Sequence, residues 1–444
     1  MRARRTAQVP VDGLQPVVLG GDIGAYSIAR AFHEAYGVRS VVVSSASTGL
    51  VRDSVATTNV VEPGIDDGPT IVARMRAIAD EHAGRHLLLL GSADWLVRTI
   101  VTQREHLEDR FTIPYVPLET LDKVTDKERF GALCRELGLP HPATVVHDVV
   151  AGGTPDTSGL RFPVIAKAAD TAAYHRVEFP GKKKVFTVDT PGDLAGLLAR
   201  VRDAGYIGTF IVQDLIPGDD SGMRILTCYS DRAGQVRFSA YGHVLLEEHT
   251  PGALGNPAGI ITGHDQVVVE QATRLLEHLG WTGYANFDLK YDPRDGRTVF
   301  FELNPRLGRS NLYITAGGRN TAELYVREHV QGLDPLPDGA DVHLGDPHLY
   351  TVLPRWLLRR YVASARLRGQ VRALGRAGRA TNPLWYGPET SPRRWAYVVA
   401  NQANQVRKYR RHLAVPVRED RCGSVSSVGS APPPRCASST RWCG

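Results

Sequence analysis

Residues 284–306 read YANFDLKYDPRDGRTVFFELNPR. Two runs rich in aromatic and β-branched residues flank Asp-Pro-Arg-Asp-Gly, a turn-forming pentapeptide, so the stretch predicts a β-hairpin. With the turn centred near Asp295, Asp288 falls opposite Glu302, and Asn304, two residues on, shares the face of Glu302. Two carboxylates facing each other across a strand pair repel, which raises one pKa unless a cation lies between them. An all-oxygen set without His or Cys suits a hard ion, Mg²⁺ with Mn²⁺ as the alternative, held by one or two carboxylates together with substrate phosphates. Acids at this spacing also occur on solvated hairpin faces, so the flanking sequence decides between the two.

Upstream, DKERFGALCRELGLPHP places Phe130, Leu133, Cys134 and Leu137 at i, i+3, i+4 and i+7, one face of a helix that Gly138 and Pro140 end and Lys127 begins. A strand RFPVIAKAAD carries Lys167 near its end, and a polar loop then leads to Lys182, Lys183 and Lys184. Lysines of this kind hold polyphosphates, although each by itself is ordinarily a surface residue. FIVQDLIPGDD then runs from a strand into a Pro-Gly turn. Its extended backbone can face a base edge, and a following acid can accept from ribose hydroxyls. The order is more specific than any member: paired lysines, a hinge with a trailing acid, then an acid, acid, amide face.

The N-terminal part alternates PVVLGG, DIGAYSIARAFHEAYG and VRSVVVSS, the rhythm of a parallel βαβ sheet. Gly20, Gly21 and Gly24 lie in its first turn, but the dinucleotide fingerprint is incomplete, and a structural turn is favoured over a nicotinamide site.

The chain has 444 residues, 42% hydrophobic and 23% charged, which fits two or three soluble domains and excludes wholesale disorder. No apolar run approaches the roughly 20 residues of a membrane span, and MRARRTAQVP is followed by no apolar signal core. Five cysteines form no disulfide or zinc framework, so a cytoplasmic location is expected. The net charge of +6 conceals a split. From Arg355 to His412 fourteen Lys and Arg face Glu389 alone, a net of +13, and residues 415–444 add +2, which leaves −9 for everything before Arg355. The basic part has amphipathic helical character and no nucleic-acid motif. It is either a solvated arginine-rich face or a surface for an anionic precursor or an anionic membrane.

From Lys127 to Arg306 these motifs resemble the ATP-grasp superfamily of carboxylate–amine ligases, and within it the D-aspartate ligase family of peptidoglycan cross-bridge synthesis. The likeness extends from about Pro16 to His412 and is carried by PVVLGGDIGAYSIARAFHEAYG, FIVQDLIPGDDSGMRILTCY, GHVLLEE, TGYANFDLKYDPRDG and FELNPRLGRSN. It implies an α/β (α+β) ATP-grasp fold: an N-terminal Rossmann-like pre-ATP-grasp domain (1–120), an ATP-grasp domain (121–335) and a basic C-terminal extension (336–414); the likeness leaves out residues 415–444, whose Ser/Pro/Gly-rich composition, poor in apolar groups, predicts a disordered tail. It implies that Lys127, Lys167 and Lys184 hold ATP phosphates, that Gln213, Asp214 and the backbone of Ile216 read the adenine, and that Asp220 takes the ribose. By the same likeness Asp288, Glu302 and Asn304 hold magnesium, Arg306 lies beside the reacting carboxylate, and Arg224 is a second candidate there. The lid, Thr171 to Lys184, has only Gly181 where superfamily lids are glycine-rich, and PGALGNPAG (251–259) is a second covering loop or an ordinary surface loop. The reaction implied joins a carboxylate to an amine through an acyl phosphate: D-aspartate to a lysine amine of a precursor such as UDP-MurNAc-pentapeptide. The alternative is a peptide or amino-acid ligase of secondary metabolism.

Overall fold

The apolar run at residues 16–19 lies in the middle of a parallel sheet. The computed structural model describes residues 11, 13–169, 174, 176–183, 185–250 and 253–416. Strand β1 (Leu14–Leu19), buried throughout, is flanked by β2 (Ser40–Ser44) and β4 (His86–Gly91), with β3 (Thr57–Val61) outermost, in the order β3-β2-β1-β4. Helices α1 (Ile23–Tyr36), α2 (Gly68–Glu81) and α3 (Asp94–Thr102) complete the βα layers. Asp22 caps α1 by accepting from Ala25 N at 2.9 Å. A carboxylate therefore stands where an anion bound at this helix start would lie. The glycines serve close packing. Gly20 has φ +126° and no room for a Cβ beside Ser92, and a Cβ at Gly24 would lie 3.2 Å from Arg309 Cα.

Helix α4 (Leu118–Thr125) leads to α5 (Lys127–Glu136), whose cap Asp126 accepts from Glu128 N at 3.0 Å and Arg129 N at 2.8 Å, so Lys127 is the first helical residue. Next comes an antiparallel sheet of β5 (Thr144–Asp148), β6 (Val164–Ala168), β7 (Phe186–Val188) and β8 (Thr209–Asp214), ordered β5-β8-β6-β7. Helix α6 (Pro191–Asp203) supplies Leu194, Leu197 and Leu198 to a core with Val164, Ala166, Phe210 and Val212. Because strand side chains alternate, Lys167 and Gln213 fall on the other, open face.

The larger sheet takes β9 (Met223–Ser230), β10 (Val236–Glu247), β11 (Pro257–Gly263), β12 (Gly283–Tyr291), β13 (Thr298–Asn304), β14 (Leu349–Thr351) and β15 (Ala380–Thr381) in the order β13-β12-β9-β10-β11-β14-β15. Helices α7 (Gln266–His278), α8 (Leu312–Ala316) and α9 (Thr321–His329) pack on it, and its core is continuous with that of the N-terminal sheet. Residues 121–335 thus contribute to two cores.

The basic segment is part of this body. It forms α10 (Arg355–Tyr361), β15, α11 (Ala365–Arg376) and α12 (Pro392–His412), and buries Leu357, Leu358, Val371, Val398 and Tyr409 in the common core. Its one acid pins it to the N-terminal sheet. Buried Glu389 accepts from Ser54 Oγ at 2.6 Å and Val55 N at 2.9 Å, with Arg394 Nε at 3.5 Å. Arg394, fully buried, donates through Nη1 to Gly49 O (2.6 Å) and Leu50 O (2.8 Å) and lies 4.4 Å from the Tyr26 ring centre. Among the described residues no helix is long and apolar enough to cross a membrane. Residues 171–173, 175 and Lys184 of the expected lid, Pro251 and Gly252 of the second loop, and the tail from 417 onward lie outside the described residues.

Candidate active site

The hairpin pairs Asp288 directly with Glu302 and Asn286 with Asn304. The register has a second cause besides the turn. Tyr291 pairs with Thr298 and Leu289 with Phe300, so the loop is centred between Arg294 and Asp295, and a bulge at Phe301 restores the offset. Without that extra residue Asp288 would face Phe301. Asn304 Nδ2 donates to Asp288 Oδ2 at 3.2 Å, and Thr227 Oγ1 donates to Asn286 Oδ1 at 2.9 Å, so two amides and a hydroxyl surround the acid pair. Burial first, then the charge of Glu302, pushes the Asp288 carboxyl well above its usual range, against the pull of Arg306. Glu302, Asn304, Phe301, Lys127 and Asp94 line one cavity of about 140 Å³. Lys127, 161 positions upstream of Asp288 in the chain, is thereby brought to the acid face.

Arg306 stands beside this cavity. Its Nε is 3.0 Å from Asp94 Oδ1, and its Nη2 donates to Asp94 Oδ2 at 3.2 Å and to Asn304 Oδ1 at 3.3 Å. Asp94 opens α3 of the N-terminal sheet, and no local motif marks it. Only the fold shows its role.

The small sheet brings Lys167 and Gln213 to one face, with Lys167 opposite Ile211 and Gln213 opposite Ile165. Gln213 Nε2 donates to Thr144 Oγ1 at 2.9 Å. Asp214 points the other way. Its buried carboxylate accepts from Arg161 N at 2.7 Å and Arg161 Nε at 3.2 Å, so only its backbone remains for a base edge. Ile216 is buried and lines, with Asp214 and Arg161, a separate cavity of about 280 Å³.

Asp220 begins a short 3₁₀ turn and accepts from His249 Nε2 at 2.7 Å and Glu247 N at 2.9 Å. Burial opposes its ionisation, but those hydrogen bonds and the nearby cations outweigh it and hold its carboxyl below the usual range. The hydrogen bond to Asp220 raises the His249 pKa, burial followed by the Asp220 charge pushes Glu247 up to about 7, and burial lowers Lys290. Glu247, His249 and Lys290 were not singled out from sequence. Lys290 was within reach of it: two residues beyond Asp288, it shares the same face, and its Nζ donates to Gly218 O at 3.2 Å.

The structure does not bring Arg224 to the acid face. It pairs with Leu289, one residue from Asp288, and so projects from the opposite side of the sheet, where Nη1 donates to Ser221 O (2.7 Å) and Met223 O (2.8 Å). The expectation for Arg224 came from the family likeness, and strand alternation places the residue on the other side of the sheet.

Two acids and an amide form an all-oxygen set, and among the described residues no group of three His, Cys, Asp or Glu assembles elsewhere as a metal site. A raised Asp288 with Glu302 opposite is a pair that a hard cation would relieve.

No protein-family model matches the chain. It is 31% identical over 404 residues to the D-aspartate ligase of Enterococcus faecium (strain Aus0004), with 89% of this chain and 96% of that protein covered. It is 25% identical over 402 residues to the large chain of carbamoyl phosphate synthase from Thermomicrobium roseum, covering 83% of this chain but 35% of that one. Among solved structures, the L-amino acid ligase of Bacillus licheniformis superposes with a TM-score of 0.55 at 15% identity, over 77% of this chain and 80% of that one. An N5-carboxyaminoimidazole ribonucleotide synthetase in complex with ADP gives 0.54 at 13% identity, over 92% and 100%. These two show the ATP-grasp fold alone; the E. faecium relative, matched over nearly its whole length, shows that the chain belongs to the D-aspartate ligase family of ATP-dependent ligases.

Proposed function

We propose that the protein joins the β-carboxylate of D-aspartate to the ε-amine of lysine in a peptidoglycan precursor such as UDP-MurNAc-pentapeptide, through an acyl phosphate formed with ATP. The observation that carries this reading is the gathering of Asp288, Glu302, Asn304, Lys127 and Arg306 around one face, in a chain 31% identical to a D-aspartate ligase. Asp288, Glu302 and Asn304 would hold magnesium, which when bound neutralises phosphate oxygens and lowers their repulsion toward an attacking carboxylate.

The chain's own residues supply the rest. Lys127, at the mouth of the cavity, meets the triphosphate from one side, and Lys167, on the open face of the small sheet, meets it from another. Arg306, oriented by Asp94 and Asn304, holds the reacting carboxylate in line. Gln213 and the backbone at Asp214 and Ile216 face the adenine, and Asp220, kept ionised by His249 and Glu247 N, accepts from the ribose. The amine then displaces phosphate from the acyl carbon, forming the amide, and loses a proton. Water must be excluded while the acyl phosphate exists.

Purified protein supplied with Mg-ATP, D-aspartate and the precursor should release ADP and phosphate and yield an aspartyl-lysine amide. L-Aspartate and D-asparagine should be used at least tenfold less well. Absence of phosphate release across a panel of amino acids and precursors, or full activity in Glu302→Ala, would sink the assignment.

A further inference from the structure

A second cavity, of about 470 Å³, lies in the basic C-terminal part, between β14, the end of α11, β15 and the middle of α12. Its volume is in the range of small-ligand sites. Trp385, 51% exposed, lines it, as do Arg355 and the amides of Asn382 and Gln402. Arg355 is laid against Gly375, where any Cβ would collide with the guanidinium, so a glycine in the last turns of α11 makes room for it. No acid pairs with Arg355 among the described residues, and no Asp or Glu lines the cavity. The only acid of the surrounding +13 segment, Glu389, is buried beneath Ser54 and Arg394 and screens nothing here. Asp346, the exposed acid next to the cavity rim, is taken up by Arg379 at 2.7 Å, so the unpaired Arg355 guanidinium beside a half-exposed indole fits a ligand that is both anionic and flat-ringed.

From this we infer that the cavity binds the nucleoside diphosphate end of the amine acceptor, with Trp385 stacking on the base and Arg355 holding a phosphate. The inference rests on the reading above that the acceptor is a nucleotide-borne precursor. Distance agrees with it. Four strand steps separate β12 from β14, about 19 Å at the usual strand spacing. An extended pentapeptide spans about 17 Å, and a sugar between peptide and diphosphate adds to that reach. The reach of such a ligand is therefore of the same order as the width of sheet between the cavity and the acid-bearing strands. On this account the excess of arginine selects the acceptor and takes no part in the chemistry.

The test is calorimetric titration of UDP into the full chain with the ATP site filled by a non-hydrolysable analogue and Mg²⁺. Wild type should bind one UDP. Arg355→Gln should weaken it about tenfold or more, and Trp385→Ala about fivefold or more, while analogue affinity and melting temperature stay unchanged in both. Inorganic pyrophosphate should respond to Arg355→Gln but not to Trp385→Ala. No UDP binding at millimolar concentration, or equal binding by wild type and both variants, overturns the assignment. So does a loss, in those variants, of binding to vesicles of three parts phosphatidylcholine to one part phosphatidylglycerol with UDP affinity unaltered. If UDP binds as expected but no aspartyl amide forms, the cavity stands and the acceptor reading falls. If the amide forms without UDP binding, the cavity assignment falls alone.

Discussion

Replacing Asp94 by Asn tests whether the N-terminal sheet contributes to the reacting site or only covers it. Asp94 meets Arg306 through two contacts, 3.0 Å from Oδ1 to Nε and 3.2 Å from Oδ2 to Nη2, and the arginine side chain is 13% exposed while the acid is 44% exposed. A sheltered charge-assisted pair contributes about 1.5–3 kcal/mol and an exposed one under about 1 kcal/mol. With one partner open to water, about 1 kcal/mol is the appropriate figure, or roughly a fivefold change in rate. Asn keeps the shape and one acceptor but loses the charge and the second acceptor, so Arg306 is freed to leave Asn304. If the pair positions Arg306 for the carboxylate, kcat falls about fivefold and KM for ATP is unchanged, because Lys127, Lys167 and Gln213 are untouched. Steady-state ADP release, with aspartate and ATP varied separately, separates the two constants. A rise in kcat/KM for aspartate in Asp94→Asn would refute the reasoning, since it would mean that Asp94 competes with the substrate carboxylate for the guanidinium.

Glu389→Ala leaves Ser54 Oγ, Val55 N and the buried Arg394 without their acid, and loss of one partner of a buried pair costs about 3–5 kcal/mol. Urea unfolding should show it, and a change under about 1 kcal/mol would contradict the latch between α12 and the N-terminal sheet. Asp288→Asn removes a buried like charge, so ligand-free protein should melt about 2–4 °C higher while ADP release drops at least 10²-fold, and a lower melting point would mean that the acid pair is already balanced. Burial and the Asp220 charge push Glu247 up from the ordinary 4.5 to about 7 in the folded protein, so the folded state holds the extra proton between those values and stability falls as pH rises from about 4.5 to 7. Glu247→Gln should flatten that part of the melting-temperature profile, and an unchanged slope would assign it elsewhere.

Sequence carried the acid face because it depends on local periodicity, whereas the roles given to the ATP motifs came from family likeness. A strand alternates every two residues whatever packs on it, so Asp288, Glu302 and Asn304 were legible from a turn and a count, and Lys290 was within the same rule. Asp126 ahead of Lys127 likewise signals a helix start. Even there the count succeeded through a compensation, since the turn is half a residue off and the Phe301 bulge supplies the difference. What was not legible joins residues far apart: Asp94 to Arg306 across 212 positions, and Tyr26 to Glu389 across 363. No window in the chain contains both partners.

Charge shows the same division between local and distant information. The sum over 355–412 records an excess of arginine, yet it gives no hint that the segment continues the large sheet through β15, or that its one acid lies in the interior. Physically the two facts are linked. A helix bearing so many arginines gains little from packing on an acidic body through solvent-exposed pairs, each contributing at most about 1 kcal/mol. A buried Glu389 with two donors and Arg394 beside it specifies one docking position instead, while at the surface Arg379 pairs with Asp346 at 2.7 Å. In a run of fourteen cations, the isolated acid is therefore the residue to expect at the interface, where it holds buried Arg394, and exposed Arg355, away from it, is the cation available to a ligand.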